Sequence, residues 1–383
     1  MAIKVNGTTV IDDTKKLVNV QSVTFNDASV LSEAPTASIQ LVYEGFDSAY
    51  EFNLIDRIEL SDRYAFDKNS LITTTSVFDT TKLVHTLDNP NAYGTSTDDY
   101  FGYVVSISIS GNYAIVGAWG EDDGGGANSG KAYIFNVTTG ALVHTLDNPN
   151  PYSTSYDDRF GQSVAISGNY AIVGAYFEDD AGGTESGKAY IFNVTTGALV
   201  HTLDNPNARN TSAGDQFGNS VAISGNYAIV GAYSEDDAGG LNSGKAYIFN
   251  VTSGALVHTL NDPNAYSASN NDRFGISVSI SGNYAIVGAT GEDDSGGLSS
   301  GKAYIFNVTT GALVHTLDNP NAYGTSAGDQ FGESVAIDGN YAIVGARLED
   351  DSGGTSSGKA YIYYLDTDPV KPRTLLDKLI KIF

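Results

Sequence analysis

Residues 160–205 read FGQSVAISGNYAIVGAYFEDDAGGTESGKAYIFNVTTGALVHTLDN, and nearly the same words occur five times along the chain. The opening Phe-Gly pair falls at Phe101, Phe160, Phe217, Phe274 and Phe331, so successive spacings are 59, 57, 57 and 57 residues. A fixed period of this size requires an array of supersecondary units. Each unit is too small to bury its own apolar surface and must stack on its neighbours.

Each unit parses into four short strands. SVAIS (163–167) and YAIVGA (170–175) are separated by Gly168-Asn169, a two-residue hairpin signal. KAYIFN (188–193) and ALVHTL (198–203) are joined by a turn over residues 194–197. Val164 and Ile166 point one way and Ala165 the other, while Tyr190 and Phe192 oppose Ala189 and Ile191. A sheet with one wet face would alternate apolar with polar, so these sheets are expected to be covered on both sides. The expected fold is all-β, a five-bladed β-propeller of four-stranded blades. After the fifth set of three strands no fourth follows, but residues 77–87 (VFDTTKLVHTL) match the end of a blade. This N-terminal strand is expected to pair with residues 359–364 and close the ring, covering two open edges.

The pattern FG-x-SVAISG-x-YAIVGA, an acidic Gly-rich loop and SG-KAYIF resembles the FG-GAP type of repeat, related to the propeller of integrin α-chains. The resemblance spans residues 77–364. It implies a calcium site only where an Asp-rich loop joins the Phe-Gly strand to the Gly-Ala strand. Here that loop is Ser-Gly-Asn, or Asp338-Gly339-Asn340 in the last copy, so that calcium site is not carried over.

The sequence divides into residues 1–75, 76–366 and 367–383. The first part is expected to be a small β-rich docking module, with an Asn-Gly hairpin over residues 3–11 and further strands over 17–25 and 39–43. Residues 50–64 leave strand and short helix open. The opening, MAIKVNGTTVIDD, resembles the start of many structural proteins of tailed bacteriophages, particularly marine ones. In the last part Leu375, Leu376, Leu379, Ile380 and Phe383 recur at helical spacing, so a short amphipathic helix is expected, folded back on its domain or inserted into another subunit.

A formal net charge of −25 argues against nucleic acid or an anionic membrane as partner, since both would be repelled. The chain has no cysteine, which excludes disulfides and thiolate metal sites. Residues 1–4 lead straight into a strand pattern without an apolar run, so no signal peptide and no membrane insertion are expected.

In a blade of alternating strands, the loop between strands two and three and the loop between blades share one face. On that face the framework barely varies, but the two residues after Gly-Ala do: Trp119-Gly120, Tyr176-Phe177, Tyr233-Ser234, Thr290-Gly291 and Arg347-Leu348. Trp119, Tyr176, Phe177, Tyr233 and Arg347 are therefore the candidate ligand-binding residues, because aromatic and arginine side chains anchor binding sites. The competing reading is drift at a tolerant loop position. Five acidic triplets on the same face are candidate calcium ligands: Glu121-Asp122-Asp123, Glu178-Asp179-Asp180, Glu235-Asp236-Asp237, Glu292-Asp293-Asp294 and Glu349-Asp350-Asp351. The competing reading is a solvated loop. Asp99, Asp158, Asp215, Asp272 and Asp329, each preceding a Phe-Gly, share that face.

The histidines His85, His144, His201, His258 and His315 sit at one position of the outermost strand, too far apart to converge on one ion. No carboxylate pair, triad or phosphate loop is singled out, because the acids repeat around the array. The expected function is therefore non-enzymatic. The chain reads as a virion structural protein of a tailed bacteriophage, a tail-fibre or surface component assembled in the host cytoplasm. Its terminal parts would dock to other virion proteins, as a homo-oligomer or within a larger assembly, and its propeller would present a face to a host glycan or protein. An extracellular sugar-binding adhesin and a polysaccharide-degrading enzyme are the alternatives.

Overall fold

The structure is a computed structural model. It describes residues 3–5, 8–11, 23–24, 30–31, 57–61, 64–67, 83–90, 97–108, 112–122, 126–149, 157–179, 183–206, 213–236, 240–263, 270–293, 297–320, 327–350, 352 and 354–365. The chain separates into two units, Met1–Leu83 and Val84–Phe383.

The first unit contains three antiparallel pairs: Ile3–Val5 with Thr8–Ile11, Val23–Thr24 with Val30–Leu31, and Arg57–Ser61 with Tyr64–Asp67. The strands on either side of Asn-Gly pair as expected, and the ambiguous stretch over 50–64 supplies strand rather than helix at Arg57–Ser61. The strand expected over 39–43 and the helix expected after residue 374 lie outside the described residues.

The second unit is built from five antiparallel sheets, four with four strands and a last one with three, consistent with a five-bladed propeller. The second blade is representative: Ser163–Ser167, Tyr170–Ala175, Lys188–Asn193 and Leu199–Asp204, paired in that order. No described residue of the array is helical. The first strands of successive blades contact one another, and the fourth strand of each blade pairs only with the third. Strand one is thus innermost and strand four outermost.

The words Phe-Gly and Gly-Ala are explained by how closely the blades approach. A Cβ on Gly117, Gly174, Gly231 or Gly288 would come closer than 3.0 Å to the backbone oxygen of the next blade's Phe-Gly glycine. Only glycine allows that approach. The phenylalanines Phe160, Phe217, Phe274 and Phe331 are fully buried against aromatic residues of their own third strand, with ring centroids 5.8 Å apart for Phe160 and Tyr190. Each seam has one apolar cluster. Ile115 and Ile134 of the first blade, for example, meet Phe160, Val173 and Tyr190 of the second. Serine hydroxyls stitch the same seams: Ser163 Oγ donates to Gly218 O, and Ser277 Oγ to Gly332 O, each at 2.7 Å.

The repeated histidine also belongs to a seam. Nε2 of His144, His201 and His258 lies 3.0–3.1 Å from the carbonyl of Thr195, Thr252 and Thr309 in the following blade. A Cβ on the Thr-Thr-Gly glycine there, Gly197 for instance, would meet the imidazole at 2.7 Å.

One expectation needs correction. Of the strand expected over 82–87, the described part, 83–87, does not pair with Lys359–Tyr364; among the described residues the fifth sheet has three strands, and 83–90 carry none. Instead His85 Nε2 lies 3.0 Å from Thr138 O of the first blade, the contact that a fourth strand makes with the blade after it. Apolar clusters join blades one to two, two to three, three to four and four to five, and among the described residues none joins five to one. The repeated word specifies where the segment sits on the first blade. How far the stack has turned by the fifth is a sum of small rotations that no single repeat encodes.

Candidate recognition site

The acidic triplets resolve into separate structural tasks. The glutamate of every triplet is fully buried. It accepts a hydrogen bond from the strand-three tyrosine: Tyr133 to Glu121 at 2.5 Å, Tyr190 to Glu178 and Tyr247 to Glu235 at 2.6 Å, Tyr304 to Glu292, and Tyr361 to Glu349 at 2.5 Å. In three blades the strand-three lysine joins it, at 2.6 Å for Lys245–Glu235, 2.9 Å for Lys302–Glu292 and 2.6 Å for Lys359–Glu349. Burial pushes Glu121 and Glu292 up to about 7, against the lowering effect of the tyrosine bond. Burial and then the glutamate push Tyr133, Tyr190, Tyr304 and Tyr361 above the ordinary phenol range.

The first aspartate of each triplet closes its own loop. Oδ1 of Asp122, Asp179, Asp236, Asp293 and Asp350 accepts the N–H of Asn128, Glu185, Asn242, Ser299 and Ser356, at 2.6–2.9 Å. Those donors all adopt positive φ, between 48° and 52°, so the carboxylate holds a bend that side-chain sterics oppose. Asp123, Asp180, Asp237, Asp294 and Asp351 lie outside the described residues. Asp99, Asp158, Asp215 and Asp329 are buried and accept from Asn89, Asn148, Asn205 and Asn319 at 2.7–2.8 Å. The described carboxylates thus face tyrosines, lysines, amides and asparagines rather than one another. Among the described residues no three His, Asp or Glu side chains gather as metal ligands.

The variable positions behave differently from blade to blade. Trp119 stacks on Tyr100, ring centroids 4.4 Å apart and 3° from parallel, with Tyr103 edge-on at 6.1 Å. From the second blade Arg159 reaches over three rings, 5.1 Å from the centre of Trp119, 5.7 Å from Tyr176 and 4.2 Å from Phe177. Its Nη1 donates to the Tyr176 hydroxyl at 2.7 Å, and its Nε pairs with Asp157 at 3.2 Å. Burial raises the Tyr176 phenol, with Arg159 opposing and the nearby Tyr233 adding to the rise. The result is one aromatic–arginine cluster at the seam of blades one and two, bordered by Tyr233 of the third. Tyr103 is 62% exposed, so the cluster opens to solvent. The Trp119 indole Nε1 is enclosed and has no acceptor among the described residues, which sets this cluster apart from a satisfied core.

The other two blades do not join in. Thr290 is buried, and a Cβ on Gly291 would clash with the Asn271 carbonyl. Arg347 stands on the fifth blade and donates to Gln330 Oε1 at 2.7 Å. Sequence reasoning identified Trp119, Tyr176, Phe177 and Tyr233 but missed Tyr100, Tyr103 and Arg159. The same comparison of copies, applied to the residue before Phe-Gly (Tyr100, Arg159, Gln216, Arg273, Gln330), would have found two of them.

A stack of four-stranded blades with its variation collected on one loop face defines a β-propeller for protein or ligand recognition. The FG-GAP repeat family model matches residues 91–135, 153–192, 207–249, 265–306 and 321–363. The match covers more than half of the chain, one segment per blade, and the chain belongs to the FG-GAP repeat family. Comparison with curated proteins gives no match.

Proposed function

We propose that the chain is a non-enzymatic recognition protein whose ligand-contacting surface is the cluster of Tyr100, Tyr103, Trp119, Arg159, Tyr176 and Phe177. The observation that carries this is its asymmetry. Buried acids, serines and histidines repeat from blade to blade, whereas the aromatic–arginine cluster forms only at the first seam. Flat aromatic faces suit the apolar face of a sugar ring, and the Arg159–Asp157 pair offers a donor and acceptors for its hydroxyls. The engagement of the conserved-in-repeat carboxylates with structural donors supports a binding rather than a hydrolytic role.

The finer reading is a structural component of a tailed-bacteriophage particle, supported by the opening residues MAIKVNGTTVIDD. There the propeller faces a host surface glycan while the terminal parts dock to other virion proteins. An extracellular adhesin uses the same face and differs only in what carries it.

Binding of the purified chain to host-surface polysaccharide or a glycan array tests the site. Trp119→Ala and Arg159→Ala are expected to weaken binding about tenfold or more, with melting temperatures near that of the parent. Parent-like binding by both variants overturns the assignment of this face.

A further inference from the structure

The fifth blade carries a cleft of about 530 Å³ lined by Glu333, Ser334, Gly345, Arg347, Gly358 and Lys359 among others. Repeat equivalence identifies what fills that place elsewhere. A Cβ on Gly130, Gly187, Gly244 or Gly301 would run into the backbone of the next blade's Phe-Gly phenylalanine; on Gly358, their counterpart, it would meet Arg347 and Ala346 of its own blade, the nearest atom at 3.0 Å. Gly345 likewise meets only Ser334. Ser334 is exposed where its counterparts Ser163 and Ser277 are buried and donate to the next blade. The cleft is the seat of a following Phe-Gly strand.

The first blade presents the opposite half. A Cβ on Gly102 would meet nothing within 4 Å, whereas one on Gly161, Gly218, Gly275 or Gly332 would strike the preceding blade's lysine carbonyl. Val105 and Tyr103 are exposed beside it. Residues 84–90 already lie against this blade as the fourth strand of a preceding blade would: His85 reaches Thr138 O, and Asn89 donates to Asp99 at 2.7 Å. Among the described residues, 84–88 belong to no sheet, and the third strand of the fifth sheet is hydrogen-bonded to one neighbouring strand only. Among the described residues, the first blade thus carries a segment placed as the fourth strand of a preceding blade would be, and the fifth sheet shows three strands with no Phe-Gly strand seated beyond it.

We propose that the fifth blade of one copy docks on the first blade of a second copy, head to tail. The second copy's Phe101-Gly102 enters the cleft, and its residues 84–87 pair with Lys359–Tyr364 to complete a four-stranded blade. The occupant is a second copy because the described fifth blade makes no seam with the first of its own chain. The docking chemistry is that of the four seams already present: the exposed Ile343 and Ile362 of one copy replace Ile172 and Ile191, and Gly102 replaces Gly218. Charge fits as well. In the first seam, the residue before Phe-Gly, Arg159, lies over Trp119 of the preceding blade. Between copies Tyr100 would meet Arg347, a cation–π pair with the partners exchanged. Such a heterologous contact propagates into a larger ring or a filament. The docking argument uses none of the observations behind the glycan-binding reading, although Tyr100 and Tyr103 lie on both surfaces.

The parent chain has no cysteine, so introduced thiols report the contact directly. By the register of the second blade, where Ile191 faces His201, Ile362 would face His85. Directly opposed positions in an antiparallel pair are close enough for a disulfide. The full-length single variants His85→Cys and Ile362→Cys are mixed under oxidising conditions, and the double variant is oxidised alone. Head-to-tail docking gives a covalent heterodimer from the mixture and a ladder of multimers from the double variant. A double variant that loses its thiols yet runs as a monomer, with no dimer from the mixture, would mean closure within one chain and overturn the proposal. No crosslink in either sample also overturns it. Sedimentation of the uncrosslinked parent should show mass rising with concentration, and Ile362→Lys should abolish that rise; a parent mass independent of concentration counts against docking.

Discussion

The second and fifth blades are written in nearly the same words and live in different surroundings. YAIVGA places Ile172 at 0% exposure in the second blade and Ile343 at 41% in the fifth. In KAYI the third-strand isoleucine is 0% exposed at Ile191 and 72% at Ile362. Burial of Lys359–Tyr364 alternates residue by residue, the signature of a sheet with one uncovered face, while Lys188–Asn193 is buried almost throughout. Identical strands therefore differ by the presence of a neighbour. Stability in this array resides in the seams as much as in the blades, as expected of a quasi-one-dimensional repeat.

The sharpest way to break the comparison is the Gly-Ala glycine. Gly174→Ala places a methyl group against the Gly218 carbonyl, a backbone atom that cannot swing aside. A loss of about 4–5 kcal/mol or failure to fold is expected. Gly345→Ala meets only the Ser334 hydroxyl at 2.6 Å, which rotates away, and should change the denaturation midpoint little. Equal effects in chemical denaturation would mean that the seam does not depend on the glycine.

A middle-sized effect is expected for the paired isoleucines. Ile191→Ala opens a cavity in a closed seam and should cost about 2–5 kcal/mol. Ile362→Ala, at a site already facing solvent, should stay within about 0.5 kcal/mol in dilute protein. The contrast should narrow at high protein concentration if copies dock head to tail.

The smallest expected effect is a pH dependence that refines the comparison among closed seams. Glu121 and Glu292 hold their protons up to about pH 7 when folded, against a usual value of 4.5. Between those values the folded chain binds more protons than the unfolded one, so stability falls as pH rises. The contribution is complete below about 4.5 and is lost through 7, at most roughly 3 kcal/mol per group for a shift of that size. The chain's charge of −25 adds a slope of the same sign. Melting temperatures from pH 5 to 8 should therefore fall less steeply for Glu292→Gln than for the parent; parallel curves would remove the glutamate from the explanation.

The candidate site was legible in part for a definite reason. Differences among copies expose positions released from the framework, which is how Trp119, Tyr176, Phe177 and Tyr233 stand out. Comparison along the chain does not say which variable positions meet in space. Arg159 shares its left-handed backbone with every residue before Phe-Gly, and joins the cluster because Trp119, Tyr176 and Phe177 stand within reach of its guanidinium. Arg347 follows Gly-Ala as Trp119 and Tyr176 do but takes no part; it donates to Gln330 of its own blade, and among the described residues no following blade brings it a partner.

The acidic triplets show the same division at finer grain. Three adjacent carboxylates look alike on paper, yet Glu178 enters the interior against Tyr190 and Asp179 turns back to the Glu185 N–H. That partition depends on which atom faces a donor once the loop has closed.

Strand order, hairpin turns, the five-blade count and the inner and outer positions of strands one and four follow from the sequence alone, because pairing and alternation are local and recur at a fixed period. The covered or open state of each face, the gathering of the cluster at one seam and the unjoined ends were decided only in three dimensions. They depend on the distance between blades and on rotation accumulated over the stack, and both arise from contacts between residues more than fifty positions apart.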